Sequence, residues 1–202
     1  SDIVTELNIS RATVSRLLQF GRDRGLVTIK IHNPVAPLHQ LEVDLLAKYP
    51  SLHKIIIVPG TDDPLEEVGA AGAKYIEQVV EDKDIIGLGW GKTVYQVGLH
   101  LKPKDVTDIT VVQMKGSMAN TNTRNYAFET VNIFANAFNT VPQYLPLPVI
   151  FDHAKTRELV ANDTHIKHIM KLGEQSSIAV FTVGTVRDSA LLFKLGYFTK
   201  QE

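Results

Sequence analysis

Two apolar stripes at helical spacing open the chain. Val14, Leu17 and Leu18 form the face that a predicted helix would bury, and Ser10 just before it offers a hydroxyl as the N-cap. A shorter stripe within residues 3–7 predicts another helix before it. Two short helices joined by so tight a turn are typical of a helix-turn-helix, although other helix pairs can give the same pattern.

A strand and a linker helix are predicted next. Gly25 ends the helical pattern, and Val27–Ile31 alternates apolar and polar residues as a strand does. Residues 1–33 are therefore predicted to form a partial winged helix-turn-helix. Leucines then return at helical spacing until Pro50 stops the pattern, which predicts a linker helix within residues 34–50.

From residue 51 onward, short apolar runs alternate with helical stripes. The predicted strands are Lys54–Val58, Asp84–Leu88, Ile109–Met114 and Ser177–Val183. The predicted helices are Glu66–Val80, the segment from Thr93 through Leu101, Arg124–Asn139 and a pair within 153–171, with an extended segment at Tyr144–Ile150. This alternation favours an α/β fold for residues 51–202, with a mostly parallel, Rossmann-like sheet covered by helices on both faces.

The composition narrows the class of protein. The chain has 202 residues, 44% of them hydrophobic, which suits one main domain with a small appendage. It contains no cysteine, so disulfides, thiolate nucleophiles and cysteine-based zinc sites are excluded, and a reducing compartment suits it. We see no signal peptide and no apolar run long enough to cross a bilayer, and therefore expect a cytoplasmic protein without a membrane partner.

Positive charge is concentrated in the predicted helix-turn-helix. Residues 1–33 carry five Lys and Arg against three Asp and Glu, a net charge of +2, whereas the whole chain carries −1. The outer face of the second helix presents short, polar or cationic side chains that can reach phosphates and base edges in a major groove. The candidate DNA-binding residues are Arg11, Ala12, Thr13, Ser15, Arg16 and Gln19.

A glycine-rich loop follows the strand predicted at Asp84–Leu88. Gly89 and Gly91 would let the backbone approach an anion closely, and Lys92 and Thr93 add charge and a hydroxyl where the next helix begins. The spacing is not that of a Walker loop. By itself, the pattern fits an anion-binding loop and a plain strand-to-helix turn equally well.

Lys115 follows the end of another apolar strand, so its amine would reach the ligand crevice of a parallel sheet. There it could pair with a phosphate. If it were desolvated or set beside another cation, it could instead lose its proton and attack a carbonyl to form a Schiff base. A solvated lysine at the end of a strand is the third interpretation, and the residue pattern alone favours it.

Other candidates carry weaker signals. Gly184 follows the last predicted strand and could approach a ligand, and Asn125 could bind a hydroxyl or merely cap a helix. His165 and His168 are spaced like a metal pair, but no third ligand is evident nearby. We expect no metal and no cofactor.

With these motifs in view, the chain resembles the SorC family of bacterial transcriptional regulators over essentially its whole length, and within it the deoxyribonucleoside regulators. The matching stretches are Ile9–Leu18, Asp84–Thr93, Val112–Gly116, Tyr144–Phe151 and Ala179–Gly184. The resemblance implies a regulator rather than an enzyme. It also implies an effector domain that is similar in fold to phosphosugar isomerases and binds a sugar phosphate that changes operator binding.

The resemblance also implies roles for single residues. The glycine-rich loop matches the family's phosphate cradle, and Asn125 falls where relatives use a polar side chain on the sugar. Lys115 stands where the deoxyribonucleoside regulators form a Schiff base with open-chain deoxyribose 5-phosphate. We therefore expect a repressor that binds operator DNA and this effector. An isomerase- or aldolase-like enzyme and a SorC-type regulator of another, non-covalently bound sugar phosphate are the alternatives.

Two departures from the family pattern bear on these expectations. Ser117 replaces a glycine common in the family, which is tolerable if this residue avoids a positive φ. The chain also ends at Glu202, where relatives continue, and the front of the winged helix is missing. We therefore expect a fragment whose effector domain, residues 51–202, is incomplete at its C-terminal side. Relatives assemble through this domain, so a homodimer or homotetramer is expected.

Overall fold

The chain divides into two compact units, residues 1–57 and 58–202. The computed structural model describes residues 4, 7–24, 26, 36–60, 63–117, 126–184, 187, 190 and 193. The predicted wing strand at Val27–Ile31 and the candidate site residue Asn125 lie outside these residues. The division at residue 57 places the predicted linker helix with the N-terminal unit.

The N-terminal unit contains helix α1 (Arg11–Asp23) and helix α2 (Ala36–Lys48). Ser10 is the N-cap of α1, as predicted, and its Oγ accepts a hydrogen bond from the Thr13 N–H at 3.1 Å. The predicted burial of Leu17 and Leu18 is wrong: they are 55% and 44% exposed, because the described residues leave that face of α1 uncovered.

The strand predicted at residues 54–58 is also wrong. These residues adopt no regular secondary structure, and Ile56 is 44% exposed. The Ile57 N–H donates to a carboxylate oxygen of Glu42 on α2 at 2.8 Å, so a side chain takes the place of a neighbouring strand. An apolar run becomes a buried strand only where another strand lies beside it, and the sequence pattern does not report that.

The second unit is built on a four-stranded parallel sheet, which confirms the predicted α/β class. Its strands are β1 (Ile85–Leu88), β2 (Thr110–Gln113), β3 (Pro142–Gln143) and β4 (Ile178–Val180). Its helices are α3 (Pro64–Val79), α4 (Lys92–His100), α5 (Ala127–Ala137), α6 (Ala154–Ala161) and α7 (Thr164–Glu174). The strands are shorter than predicted, and β3 lies just before the predicted extended segment. No helix in the described part of the chain is long and apolar enough to cross a membrane.

Helices cover both faces of the sheet because successive strand residues point to opposite sides. Val111 packs into the main core together with Ile86 and with Phe134 of α5, whereas Val112 packs with Ile169 of α7 on the other face. Neighbouring residues of one strand therefore belong to different cores. The continuous apolar runs that predicted buried strands are explained by this two-sided burial.

The strand order creates a crevice at one edge of the sheet. The order is β3-β2-β1-β4, so the chain moves outward from β1 to β3 and then returns to place β4 on the other side of β1. In open parallel sheets, ligands bind outside the carboxyl ends of the strands where the order reverses. Here that point lies between β1 and β4, next to the glycine-rich loop.

Candidate functional site

The glycine loop, residues Gly89–Thr93, joins β1 to α4 at the strand-order reversal. Gly91 is the N-cap of α4 and has φ +153° and ψ 173°, a region open in practice to glycine alone. Within the described residues, no side chain caps this helix. The first-turn N–H groups of α4 therefore remain available to an anion, where the helix dipole also favours negative charge.

The same loop is fixed to the neighbouring strand. The Gly89 N–H donates to the Val180 carbonyl of β4 at 2.8 Å. A Cβ on Gly89 would lie 3.3 Å from the Cβ of Phe181, so a larger residue would push the loop away from β4. Lys92 is exposed, whereas Thr93 is half-buried and lines a cavity of about 320 Å³ that also includes Thr182. We call this the smaller cavity.

Lys115 lies two residues after the end of β2 and stacks on Trp90 of the glycine loop. Its Nζ is 4.2 Å from the centre of the indole ring, within cation–π distance. The Trp90 Nε1–H donates to the carbonyls of Gly116 at 2.7 Å and Lys115 at 3.2 Å. A single buried side chain thus holds both the backbone and the amine of Lys115 against the loop.

Burial lowers the pKa of Lys115 below the ordinary lysine value of 10.5, because desolvation penalises the charged ammonium. The Trp90 ring acts in the opposite direction, since its face favours a cation. Desolvation is the dominant cause, so Lys115 yields a neutral amine at lower pH than an ordinary lysine. A neutral amine is the form that attacks a carbonyl.

Gln113, the last residue of β2, lies beneath Lys115. The side chain is 1% exposed, and its Nε2 donates to the Lys115 carbonyl at 2.6 Å. Its Oε1 has no hydrogen-bond partner among the described residues. Gln113 also lines a cavity of about 700 Å³, which we call the larger cavity.

The larger cavity opens on the α7 side of the sheet. Its wall is mostly apolar, with Arg157 and Glu174 as its charged members. The Ser117 N–H donates to the Leu147 carbonyl at 2.8 Å and ties the end of the Lys115 loop to this wall. Ser117 has no positive φ, so the replacement of the family's glycine is accommodated.

The structure brings some of the predicted site residues together and separates others. Lys115 meets the glycine loop through Trp90, but it lines neither cavity described here. Gly184 is exposed, and an added Cβ would meet nothing within 4 Å, so it makes no close approach in this structure. The effector-binding roles of these residues remain predictions.

Sequence reasoning missed two contributors to the site. Trp90 is 5% exposed, as a core residue would be, but its N–H and ring also hold Lys115, which its place between two glycines does not indicate. Gln113 was not singled out at all. The sequence feature that could have indicated Gln113 is a polar side chain at the end of an otherwise apolar strand. Burial of an aliphatic side chain there would cost less free energy.

The predicted DNA-binding face belongs to the N-terminal unit. Most of its residues are exposed on α1, as a groove-reading helix requires; they are Arg11, Ala12, Ser15, Arg16 and Gln19. Thr13 is half-buried, and its hydroxyl pairs with that of Ser10 at 2.9 Å. The amide of Gln19 donates to Asp23 at 2.8 Å, so it would have to leave that partner to read a base.

Comparison with known families decides what this site belongs to. Residues 33–202 match the sequence model of the sugar-binding domain family, Sugar-bind. The chain belongs to the sugar-binding domain family. The family resemblance drawn from the sequence is thereby confirmed.

Two curated proteins that are similar to the chain are named as regulators. The chain is 44% identical to the deoxyribonucleoside regulator of Bacillus subtilis (strain 168), over 99% of its own length and 65% of that protein. It is 29% identical to the sorbitol operon regulator of Klebsiella pneumoniae, over 94% of its length and 62% of that protein. The chain therefore spans less than two thirds of either relative.

Solved structures similar to the chain share its fold. The full-length sorbitol operon regulator SorC from Klebsiella pneumoniae matches 96% of this chain and 66% of that one, with a TM-score of 0.85 and 24% identity. A domain of a possible sugar-binding transcriptional regulator from Arthrobacter aurescens TC1 matches 80% of this chain and 64% of that one, with a TM-score of 0.69 and 29% identity.

Proposed function

We propose that the chain acts in a DNA-binding transcriptional repressor whose second unit senses a phosphorylated sugar, deoxyribose 5-phosphate, and performs no catalysis. The likeness to the deoxyribonucleoside regulator supports the regulatory role and the class of effector. The exposed, cationic outer face of α1 supports contact with DNA. Operator DNA and the sugar phosphate are thus the two proposed partners.

The observation that carries this proposal is the environment of Lys115. Its amine lies on Trp90 at the carboxyl edge of the sheet, and burial lowers its pKa. A lysine that only balanced surface charge would gain nothing from this desolvation. A lysine that must be neutral to react with an aldehyde benefits from it directly.

The proposed chemistry is Schiff-base formation with the open-chain aldehyde. The neutral Lys115 Nζ adds to C1 of deoxyribose 5-phosphate, and the aldehyde oxygen takes up a proton to give a carbinolamine. Loss of that hydroxyl as water then leaves a C=N bond between Nζ and C1. Water reverses the sequence, so the adduct can report effector concentration without consuming the sugar.

The glycine loop would hold the 5-phosphate. The free first-turn amides of α4 and the hydroxyl of Thr93 are donors for phosphate oxygens, and Lys92 adds positive charge. Bound effector would favour a state of the protein with weaker operator affinity. The ratio of the effector's affinities for this state and for the operator-binding state sets how far the equilibrium between them shifts. The state of assembly stays a prediction, as a homodimer or homotetramer.

Borohydride trapping tests the proposal. The full-length protein treated with deoxyribose 5-phosphate and borohydride should gain one reduced adduct on Lys115, located by peptide mass spectrometry. Because its pKa is lowered, the adduct should form at half its maximal rate at a pH below 10.5. Lys115→Met should abolish the adduct, whereas a matched change at an exposed lysine of α7, Lys167→Met, should leave it intact.

The same measurement separates the alternatives. Absence of an adduct, together with a thermal shift caused by other phosphorylated sugars, would replace the covalent mechanism by non-covalent sensing. Steady turnover of deoxyribose 5-phosphate with no retention of operator DNA in a gel shift would instead identify an enzyme. Either result contradicts the proposal as stated.

A further inference from the structure

Gln113 combines features that the fold alone does not require. It is a polar residue, 1% exposed, at the carboxyl end of a central strand, preceded by the fully buried Val111 and Val112. One end of its amide is bonded and the other has no partner among the described residues. A buried acceptor without a donor destabilises a folded protein, so a structural role alone would favour an aliphatic residue here.

The orientation of this amide is fixed by its neighbour. The Gln113 atom facing the Lys115 carbonyl lies 2.6 Å from that oxygen, which is a hydrogen-bond distance for a nitrogen donor. Two oxygens at that separation would repel each other, so the nitrogen must face Lys115. The oxygen must therefore be the end that remains without a partner.

Gln113 lies beside a cavity large enough for a ligand. Gln113 lines the larger cavity, and Gly116, on the other side of Lys115 in sequence, lines the same cavity. Lys115 itself lines neither cavity, so a ligand anchored at its amine would reach the Gln113 amide only by extending into the larger cavity. An amide oxygen only accepts hydrogen bonds, so its partner must be a donor. In a sugar whose phosphate is fully ionised, only the hydroxyls donate.

We propose that Gln113 is a specificity-determining residue whose Oε1 accepts a hydrogen bond from a hydroxyl of the bound sugar. This inference rests on the proposed function, because it assumes a phosphorylated aldose bound at Lys115. It adds that the site selects a hydroxylated carbon chain and not merely an aldehyde with a phosphate. A site with a buried polar group discriminates against ligands that leave the group unpaired.

A pair of probes isolates this contact. Deoxyribose 5-phosphate and 5-oxopentyl phosphate have the same chain length, aldehyde and phosphate, but the second has no hydroxyl. The full-length protein should bind the first more tightly, and Gln113→Met should reduce that preference by about tenfold. The preference is the ratio of the affinities for the two probes, and it is compared between the wild-type protein and the variant. The open-chain fraction of the sugar affects both ratios equally and therefore cancels.

The design includes controls for folding. Gln113→Met removes the unpartnered oxygen together with the Nε2–H, and Lys115 O keeps its bond from Trp90, so the melting temperature without ligand should change little. Gln113→Leu is a second apolar variant for the case that Met packs poorly and lowers the melting temperature. Gln143→Met on the neighbouring strand is the matched control, since Gln143 lines neither cavity and should leave the preference unchanged.

The outcomes distinguish the two claims. If the wild-type protein binds both probes and Gln113→Met keeps the full preference for the hydroxylated one, the inference about Gln113 is overturned and the proposed function stands. If the wild-type protein binds neither probe, the proposed function fails, and the inference that rests on it fails too. Loss of the preference in Gln113→Met but not in Gln143→Met supports both.

Discussion

At the scale of single residues, three side chains act together around one backbone turn. Trp90 and Gln113 both donate to the Lys115 carbonyl, and Trp90 also donates to Gly116. The indole ring lies under the Lys115 amine at 4.2 Å. The direction of the amine is thus set by hydrogen bonds to its own backbone, and burial of the same turn lowers its pKa.

Trp90→Phe tests this arrangement, because it keeps an aromatic ring but removes the indole N–H. Gly116 is buried and loses its indole donor, so we expect the free energy of unfolding to fall by about 1–3 kcal/mol. Trapping of the Lys115 adduct should slow at the same time, since the turn that positions the amine is less well held. Urea denaturation and borohydride trapping measure the two effects.

Tyr144→Phe is the matched control for this variant. It also removes one aromatic donor, here a hydroxyl bonded to Asn132 at 2.8 Å, but that pair is solvent-exposed and water replaces it. Tyr144→Phe should lower the free energy of unfolding by clearly less than Trp90→Phe does. It should leave the rate of adduct trapping at Lys115 unchanged. Equal losses in both variants would show that Trp90 only packs.

At the scale of elements, the join between β1 and α4 combines two requirements. The strand must end beside β4, which the Gly89-to-Val180 hydrogen bond secures. The helix must begin with free amides, which the backbone of Gly91 secures through a conformation that other residues avoid. A phosphate site at this join would depend on backbone geometry more than on side-chain identity.

Gly91→Ala should therefore disturb both stability and anion binding. We expect a loss of about 1–3 kcal/mol in the free energy of unfolding, because alanine is strained at this φ and ψ. Binding of inorganic phosphate, measured by isothermal titration calorimetry, should weaken in parallel. Gly60→Ala is the control, since an added Cβ there meets nothing within 4 Å and should leave both quantities nearly unchanged. Unchanged phosphate binding in Gly91→Ala would place the phosphate elsewhere.

At the scale of the whole molecule, DNA contact and effector contact are assigned to different units. The first unit presents α1 with its exposed cationic face, and the second contains the sheet, Lys115 and the glycine loop. Regulation would then be a coupling free energy between two sites, in which effector and DNA each change the affinity for the other by the same factor.

Arg16→Ala tests the assignment of the first unit. On a random-sequence DNA duplex, it should weaken binding and reduce the slope of log affinity against log salt concentration by about 1, as expected for one lost phosphate contact. Lys167→Ala, at an exposed lysine of α7 in the second unit, is the control with an equal loss of charge. Fluorescence anisotropy over a salt series gives both slopes. Equal slopes in the two variants would argue against the proposed face.

Local order could be read from the sequence because it depends on neighbours along the chain. Ser10 caps α1 as predicted, since capping needs only the next few residues. The sheet helices and three of its strands follow from periodicity, since an apolar face must be buried whatever covers it. The lysine and the glycine loop were found in the same way, because residues after parallel strands gather at one edge.

Contacts between distant segments could be decided only by the tertiary structure. The pattern of residues 54–58 predicts a strand, but these residues form no strand in the structure. The pattern also predicts that Leu17 and Leu18 are buried, but the described residues do not cover them. The contact of Trp90 with Lys115 spans 25 residues of sequence. Among the described residues, Gln113 Oε1 has no hydrogen-bond partner, and only the arrangement in space reveals this. The sequence by itself determined which segments form helices and most of the strands, and which residues are candidates for a binding site. The tertiary structure decided which of them meet, because burial, hydrogen-bond satisfaction and desolvation depend on what lies nearby in space.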